Sequence, residues 1–170
     1  MSIRFRFNAR KAVEALLYVA EQCPDMYKAL KVLYFADKEH LARYGRFICG
    51  DAYVAMRHGP VPSGMYDLIK CARGDGFYDP DVDLASAFRV EGNSIVPCRK
   101  PDLDLLSESD KECLDAAIRR YGHLSFEELK KLSHSEKAFK DSDENDFIPV
   151  EAIARSLPEG KILLDYLLAS

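Results

Sequence analysis

Apolar residues recur at helical spacing through the first fifty positions. Val13, Leu16, Leu17 and Ala20 make one stripe, which predicts an amphipathic helix over residues 9–23, capped by Asn8. Pro24 interrupts the pattern, and Asp25 caps a second helix that runs to about Tyr44, where Gly45 stops it. On that helix Leu30, Leu33, Tyr34, Asp37 and Leu41 occupy neighbouring positions, so a carboxylate stands among apolar residues. Residues 46–51 read as a loop. Residues 52–57 alternate weakly and predict a short strand. In His58-Gly59-Pro60-Val61-Pro62-Ser63 each proline removes a backbone donor and restrains its predecessor. Irregular structure is expected there, with Ser63 capping a third helix to about Arg73.

Gly74, Gly76 and Pro80 mark a loop. Residues 88–91 and 94–97 flank Gly92-Asn93, a hairpin signal. The last third returns to helical spacing. Ser107 with Asp110 resembles a capping box for a helix to Tyr121, closed by Gly122, and Ser125 with Glu128 opens another that ends near His134. Residues 135–140 add a turn or two, residues 141–146 form an acidic loop, and Pro149 fits the first turn of a further helix. Residues 159–168 form the last. The expected fold is mainly α, about seven helices with a small β-hairpin and short-strand element inserted (α+β), in a single domain over residues 1–170.

Composition narrows the function. Hydrophobic residues make up 48% of the chain and charged residues 31%, an ordinary globular balance. The net charge is −4, and only residues 1–50 lean basic. A nucleic-acid binder normally carries a clear basic surface. Residues 126–132 followed by 135–139 look like a short helix-turn-helix, but the segment around them is acidic, which argues against phosphate attraction. The five cysteines, Cys23, Cys49, Cys71, Cys98 and Cys113, are odd in number and contain no CxxC pair, so reduced thiols in a cytoplasmic protein are expected. No secretory leader pattern and no apolar run of membrane-spanning length occur.

A search for chemistry returns little. The histidines, His40, His58, His123 and His134, show no metalloprotease spacing, and no Cys/His set has zinc-finger spacing. There is no GxSxG, and Gly74-Asp75-Gly76 lacks the third glycine of a phosphate loop. No catalytic residue, metal or cofactor is expected. The features fit a binding module better than an enzyme.

One stretch is distinctive. It reads Leu30-Lys31-Val32-Leu33-Tyr34-Phe35-Ala36-Asp37, then His40, Tyr44-Gly45-Arg46, Gly50-Asp51-Ala52-Tyr53, and His58-Gly59-Pro60-Val61-Pro62-Ser63-Gly64-Met65-Tyr66-Asp67-Leu68. This resembles the Panacea or SocA-like antitoxin domain, often labelled phage-associated. That family shows a K-L-L-Y-x-A-D helix, a G-x-x-x-x-G-x-x-Y link, and a G-P-V-P turn before a Y-D-x-L helix. The resemblance is best over residues 30–140, with residues 147–170 as C-terminal helices beyond it. His134 and Phe139 resemble a later S/T-H-x-x-x-x-W motif, with Phe139 standing where Trp is usual.

The resemblance implies an antitoxin that neutralises a cognate toxin by direct contact. Its alternatives are a DNA-binding regulator, or an adaptor presenting the toxin to a protease, of phage or mobile-element origin; a protease or chaperone is then a further partner. For the motif residues two roles stay open. Tyr34, Asp37, Tyr53 and Tyr66 suit a buried polar network that holds the proline turn against two helices. Alternatively, Tyr44, Arg46, Phe47, Tyr53, Arg57, His58, Gly59, Pro60, Val61, Pro62, Met65 and Tyr66 form a partner-binding surface. That surface would be stiffened by its prolines and rich in aromatic and Met anchors, with Phe47 and Met65 among its exposed members.

Overall fold

The computed structural model describes residues 2–76 and 80–170. Residues 77–79, in the expected loop before Pro80, lie outside them. The chain runs α1 (Ala9–Ala20), α2 (Met26–Tyr44), β1 (Tyr53–Met56), β2 (Gly59–Pro62), α3 (Ser63–Arg73), β3 (Phe88–Glu91), β4 (Ser94–Pro97), a 3-10 turn (Leu103–Leu105), α4 (Glu108–Tyr121), α5 (Phe126–His134), α6 (Lys137–Lys140), α7 (Val150–Arg155) and α8 (Gly160–Ala169). The fold is mainly α with two small antiparallel hairpins.

The caps follow the local sequence. Asn8 and Asp25 each accept a hydrogen bond from the backbone three residues on, at 3.0 Å. Ser107 with Asp110 and Ser125 with Glu128 close full capping boxes, each satisfying two amides that the first helical turn leaves without partners. Gly45 ends α2 in the left-handed conformation, at φ +75°. In the β3–β4 turn Gly92 takes φ +62°. The hairpin docks on the α1–α2 junction, where Asn93 C=O accepts from Met26 N–H at 2.7 Å and Pro24 C=O from Ile95 N–H at 2.8 Å.

Helix α2 is the axis of the molecule. Twelve of its 19 residues are buried, so it is wrapped rather than laid on a surface. Leu30, Val32, Leu33 and Ala36 join a core built with α1, α3, β3–β4 and α4. Tyr34, Phe35 and Leu41 join a second core built with Phe47, Tyr53, α5 and the C-terminal helices. Lys31, Asp37 and His40 are buried with them, which places titratable groups at the seam.

Two expectations need correction. The Gly59–Pro62 segment is not irregular: it is β2, paired antiparallel with β1 in the register Tyr53↔Pro62, Val54↔Val61, Ala55↔Pro60. Tyr53 and Ala55 direct their backbone groups the other way, to residues 145–148, through Asn145 N–H to Ala55 C=O (2.6 Å), Ala55 N–H to Asp146 C=O (2.9 Å) and Ile148 N–H to Tyr53 C=O (2.8 Å). Alternation then puts Pro60 and Pro62 at the non-bonded positions of the β1–β2 ladder, where no donor is needed. Second, Ser63 does not cap α3; it is the first helical residue. The turn or two expected over residues 135–140 is α6, a single four-residue turn, too short to lie along a major groove as a recognition helix.

Gly59 has to be glycine. Its φ is +122°, and an added Cβ would stand 2.5 Å from Ser133 Oγ and 3.2 Å from Lys31 Nζ. Gly59→Ala is expected to cost about 2 kcal/mol, from backbone strain and the displaced α5 contact, read as a lower urea midpoint with an unchanged slope.

Candidate partner-binding site

The family-like segments of the sequence meet around one junction, where α2, the 45–52 link, the β1–β2 hairpin and the start of α3 come together. Two carboxylates hold it. Asp37, 6% exposed, accepts from Ile48 N–H at 2.7 Å and from the Tyr53 hydroxyl at 2.6 Å. Asp51, 5% exposed, accepts from Ala52 and Gly64 N–H at 2.8 Å and from Met65 N–H at 2.9 Å. Asp51 is therefore the cap of α3, supplied across thirteen residues. An anion at a helix N-terminus also complements the helix dipole.

Burial sets the titration of both groups. It pushes the Asp37 carboxyl up to about 7 against the two hydrogen bonds, and the charges of Asp51 and Asp110 add to the rise. Burial raises Asp51 too, with the three backbone N–H groups opposing it. Burial and the neighbouring Asp37 raise the Tyr53 phenol well above its ordinary value, so it remains a donor.

A second set of contacts fixes the end of α2. His40 is fully buried; its Nδ1 meets Arg46 C=O at 2.8 Å and its Nε2 meets Ser109 Oγ at 2.9 Å. Arg46 turns inward, with Nη1 to Phe47 C=O at 3.1 Å and Nη2 to Asp110 Oδ1 at 3.1 Å. Lys11 Nζ reaches the other Asp110 oxygen at 2.6 Å. Burial disfavours the Asp110 charge, but Lys11 and Ser107 N–H hold its carboxyl below the usual range. Arg46 thus serves the fold first.

The later motif joins the same core. The Tyr34 hydroxyl donates to Glu136 Oε1 at 3.3 Å, and Lys38 pairs with the same carboxylate. The Tyr34 ring stands edge-on to Tyr53, centroids 5.1 Å apart. His134 packs on Phe139 at 4.7 Å, and Phe139 lies against the second core.

The candidate surface residues therefore separate into three groups. Phe47, Tyr53 and Met65 are 2–3% exposed, and Gly59, Pro60 and Pro62 are buried in the strand. The expectation that Phe47 and Met65 stand exposed fails because the Asp37–Ile48 and Asp51–Met65 bonds pull both segments inward. Arg57, His58, Val61 and Tyr66 remain at the surface and line one pocket together. Tyr44, 42% exposed, and Arg46 border a different hollow with Tyr166 and Leu168 of α8. Lys31 and Tyr44 are thirteen positions apart, roughly 20 Å along α2, so the two patches are distinct. Tyr66 is half-buried outside the Asp37 network, beneath Lys70 Nζ at 4.9 Å from its ring centroid.

Sequence reading missed the exposed apolar face of α8. Ile162, Tyr166 and Leu168 are 68%, 63% and 45% exposed, and Tyr166 and Leu168 line the hollow that Tyr44 borders. The only available signal was that α8 is apolar on more than one side. Among the described residues no group of three or more His, Cys, Asp or Glu side chains is arranged to hold a metal ion, and no helix is long and apolar enough to cross a membrane.

No curated protein and no solved structure matches the chain. A family model described as antitoxin SocA-like, Panacea domain, matches residues 30–140, more than half of the sequence, and the protein belongs to that family.

Proposed function

We propose that this protein is an antitoxin that neutralises a toxin protein by direct contact, and that Arg57, His58, Val61 and Tyr66 form the contact surface. The observation that supports this is the division of labour at the junction. The buried motif side chains are engaged within the fold, which leaves a rigid two-proline hairpin presenting Arg57, His58 and Val61 at the surface, with Tyr66 beside them on the first turn of α3. A surface already ordered before binding loses less entropy on association.

A second reading places the contact at Tyr44, Ile162, Tyr166 and Leu168. Their exposure supports it, with Tyr44, Tyr166 and Leu168 around one hollow, because exposed apolar surface commonly marks an interface.

The neighbouring reading frame is expected to arrest growth when expressed alone and to be harmless when co-expressed with this chain. Arg57→Ala combined with Tyr66→Ala should weaken toxin binding about tenfold or more, with a melting temperature within a few degrees of the parent. Tyr44→Ala combined with Tyr166→Ala should leave binding intact. The reverse pattern favours the second surface. A chain that shifts promoter DNA with steep salt dependence and does not bind the toxin would make it a DNA-binding regulator instead.

A further inference from the structure

Between α2 and the β1–β2 hairpin lies a pocket of about 320 Å³, lined among others by Tyr27, Leu30, Lys31, His58, Val61 and Tyr66. Its lining is apolar and aromatic apart from a few polar groups. Lys31, on the axial helix, is only 3% exposed. Its ammonium donates to His58 C=O and lies 5.5 Å from the centroid of the Phe126 ring. It has three protons to give, and no described carboxylate comes within ion-pair distance of it.

The groups around His58 are cationic, with Glu144 the one carboxylate among the lining residues. Burial lowers the His58 imidazole, and Lys130, Arg57, Lys31 and His134 lower it further. His58 Nδ1 is buried with no hydrogen-bond partner. Glu144 and Asn145 complete the rim, and both are exposed. Burial, with Lys130 beside it, brings Lys31 down to about 8, so it still carries its charge near pH 7. A buried charge is ordinarily paired, and Lys31 has a carbonyl and an aromatic ring beside it rather than a carboxylate.

We propose that this pocket binds a carboxylate carried on an apolar stem, with the Lys31 ammonium as its anchor and the Tyr27, Leu30, Val61 and Tyr66 side chains around the stem. A carboxylate accepts charge-assisted hydrogen bonds from an ammonium, and the apolar wall excludes the water that would weaken them. The same chemistry is carried by an acidic or C-terminal residue of a partner chain and by a free small acid.

The test titrates 3-phenylpropionate into the full chain carrying ¹³C-lysine, with 3-phenylpropanol as the uncharged match. The acid should raise the Lys31 titration midpoint by about one pH unit, and the alcohol should bind about tenfold more weakly. Lys31→Met should lose the preference for the acid. Should that variant not fold, Val61→Trp, which fills the mouth and leaves the ammonium in place, should abolish binding. Equal affinity for acid and alcohol, or a Lys31 midpoint that does not move, overturns the proposal.

A further arm identifies the source. A toxin from the neighbouring reading frame that loses affinity on Lys31→Met as 3-phenylpropionate does assigns the carboxylate to the partner. Toxin binding that Lys31→Met leaves undiminished assigns it to a free small acid. Both results uphold the pocket. A toxin that fails to bind at all would count against the proposed function alone, since the 3-phenylpropionate arm requires no toxin.

Discussion

Asp51→Ala is expected to destabilise the protein by about 3–5 kcal/mol. Three backbone N–H groups lose their acceptor together, and each buried donor left unpaired costs roughly 1–3 kcal/mol, less where water reaches it. Ala52 is exposed, so its amide can turn to water, whereas the Gly64 and Met65 amides lie at the packed start of α3. The helix also loses an anion from its N-terminus. No local residue replaces the cap, because Pro62 precedes α3 without a side-chain hydrogen bond. Asp51→Asn should cost less. Its carbonyl can keep the bonds to Ala52 and Gly64, but its amide then faces the Met65 donor. For a chain of this length the Ala variant should melt roughly 10–15 °C lower, and the Asn variant should fall between it and the parent. A drop of less than about 1 kcal/mol for Asp51→Ala in urea would show that the α3 amides find other partners and that Asp51 is not its cap.

That cap marks where sequence reading stops being sufficient. The helices announced by near neighbours were legible: Asn8, Asp25, Ser107 with Asp110 and Ser125 with Glu128 act within three residues, and their geometry follows from that spacing. The Gly92-Asn93 turn was legible for the same reason. Asp51 belongs to a different class. It is thirteen and fourteen residues from the α3 amides it serves, while Ser63 stood nearer and looked like the cap. The Gly59–Pro62 strand was hidden by a sound rule applied without its register. Proline is excluded from bonded ladder positions only, and which positions are bonded depends on residues 145–148. Phe47 and Met65 were misplaced because aromatic and Met content looks the same in a core and at an interface. The carboxylate that would recruit each of them inward could not be paired from sequence. Asp37 among apolar neighbours was visible, and so was its place in a network with Tyr53; the Ile48 amide, on the link beyond the helix, was not. Lys31 gave no signal of its own, since its burial comes from the hairpin and Phe126 closing over α2.

Asp37 should also make stability depend on pH. Its folded carboxyl titrates near 7, above the ordinary value of 3.8, because burial outweighs the Tyr53 and Ile48 bonds and the Asp51 and Asp110 charges add to the rise. A raised folded value means that the native state holds its proton more tightly than the unfolded chain. This contribution is complete below about pH 4, declines as pH rises between the two values, and is gone above about pH 7. Its size is on the order of 4 kcal/mol, since each tenfold difference in proton affinity between the folded and unfolded carboxyl is worth about 1.4 kcal/mol. Other groups titrate in the same window, so the informative quantity is the difference between the parent and Asp37→Asn. The Asn carbonyl can accept from Ile48 N–H while its amide donates to the Tyr53 oxygen. The Tyr53 hydroxyl can then turn to Leu33 C=O, already 3.4 Å away. The variant should therefore fold, and it should gain stability relative to the parent steadily from about pH 4 to about pH 7, then hold level. Asp37→Ala, which leaves the Ile48 amide without an acceptor, should be the less stable of the two variants at every pH. Urea unfolding of all three chains at half-unit intervals measures this directly. A parent-to-Asn difference that stays flat across the window would mean that Asp37 is ionised throughout, held by its two donors despite its burial.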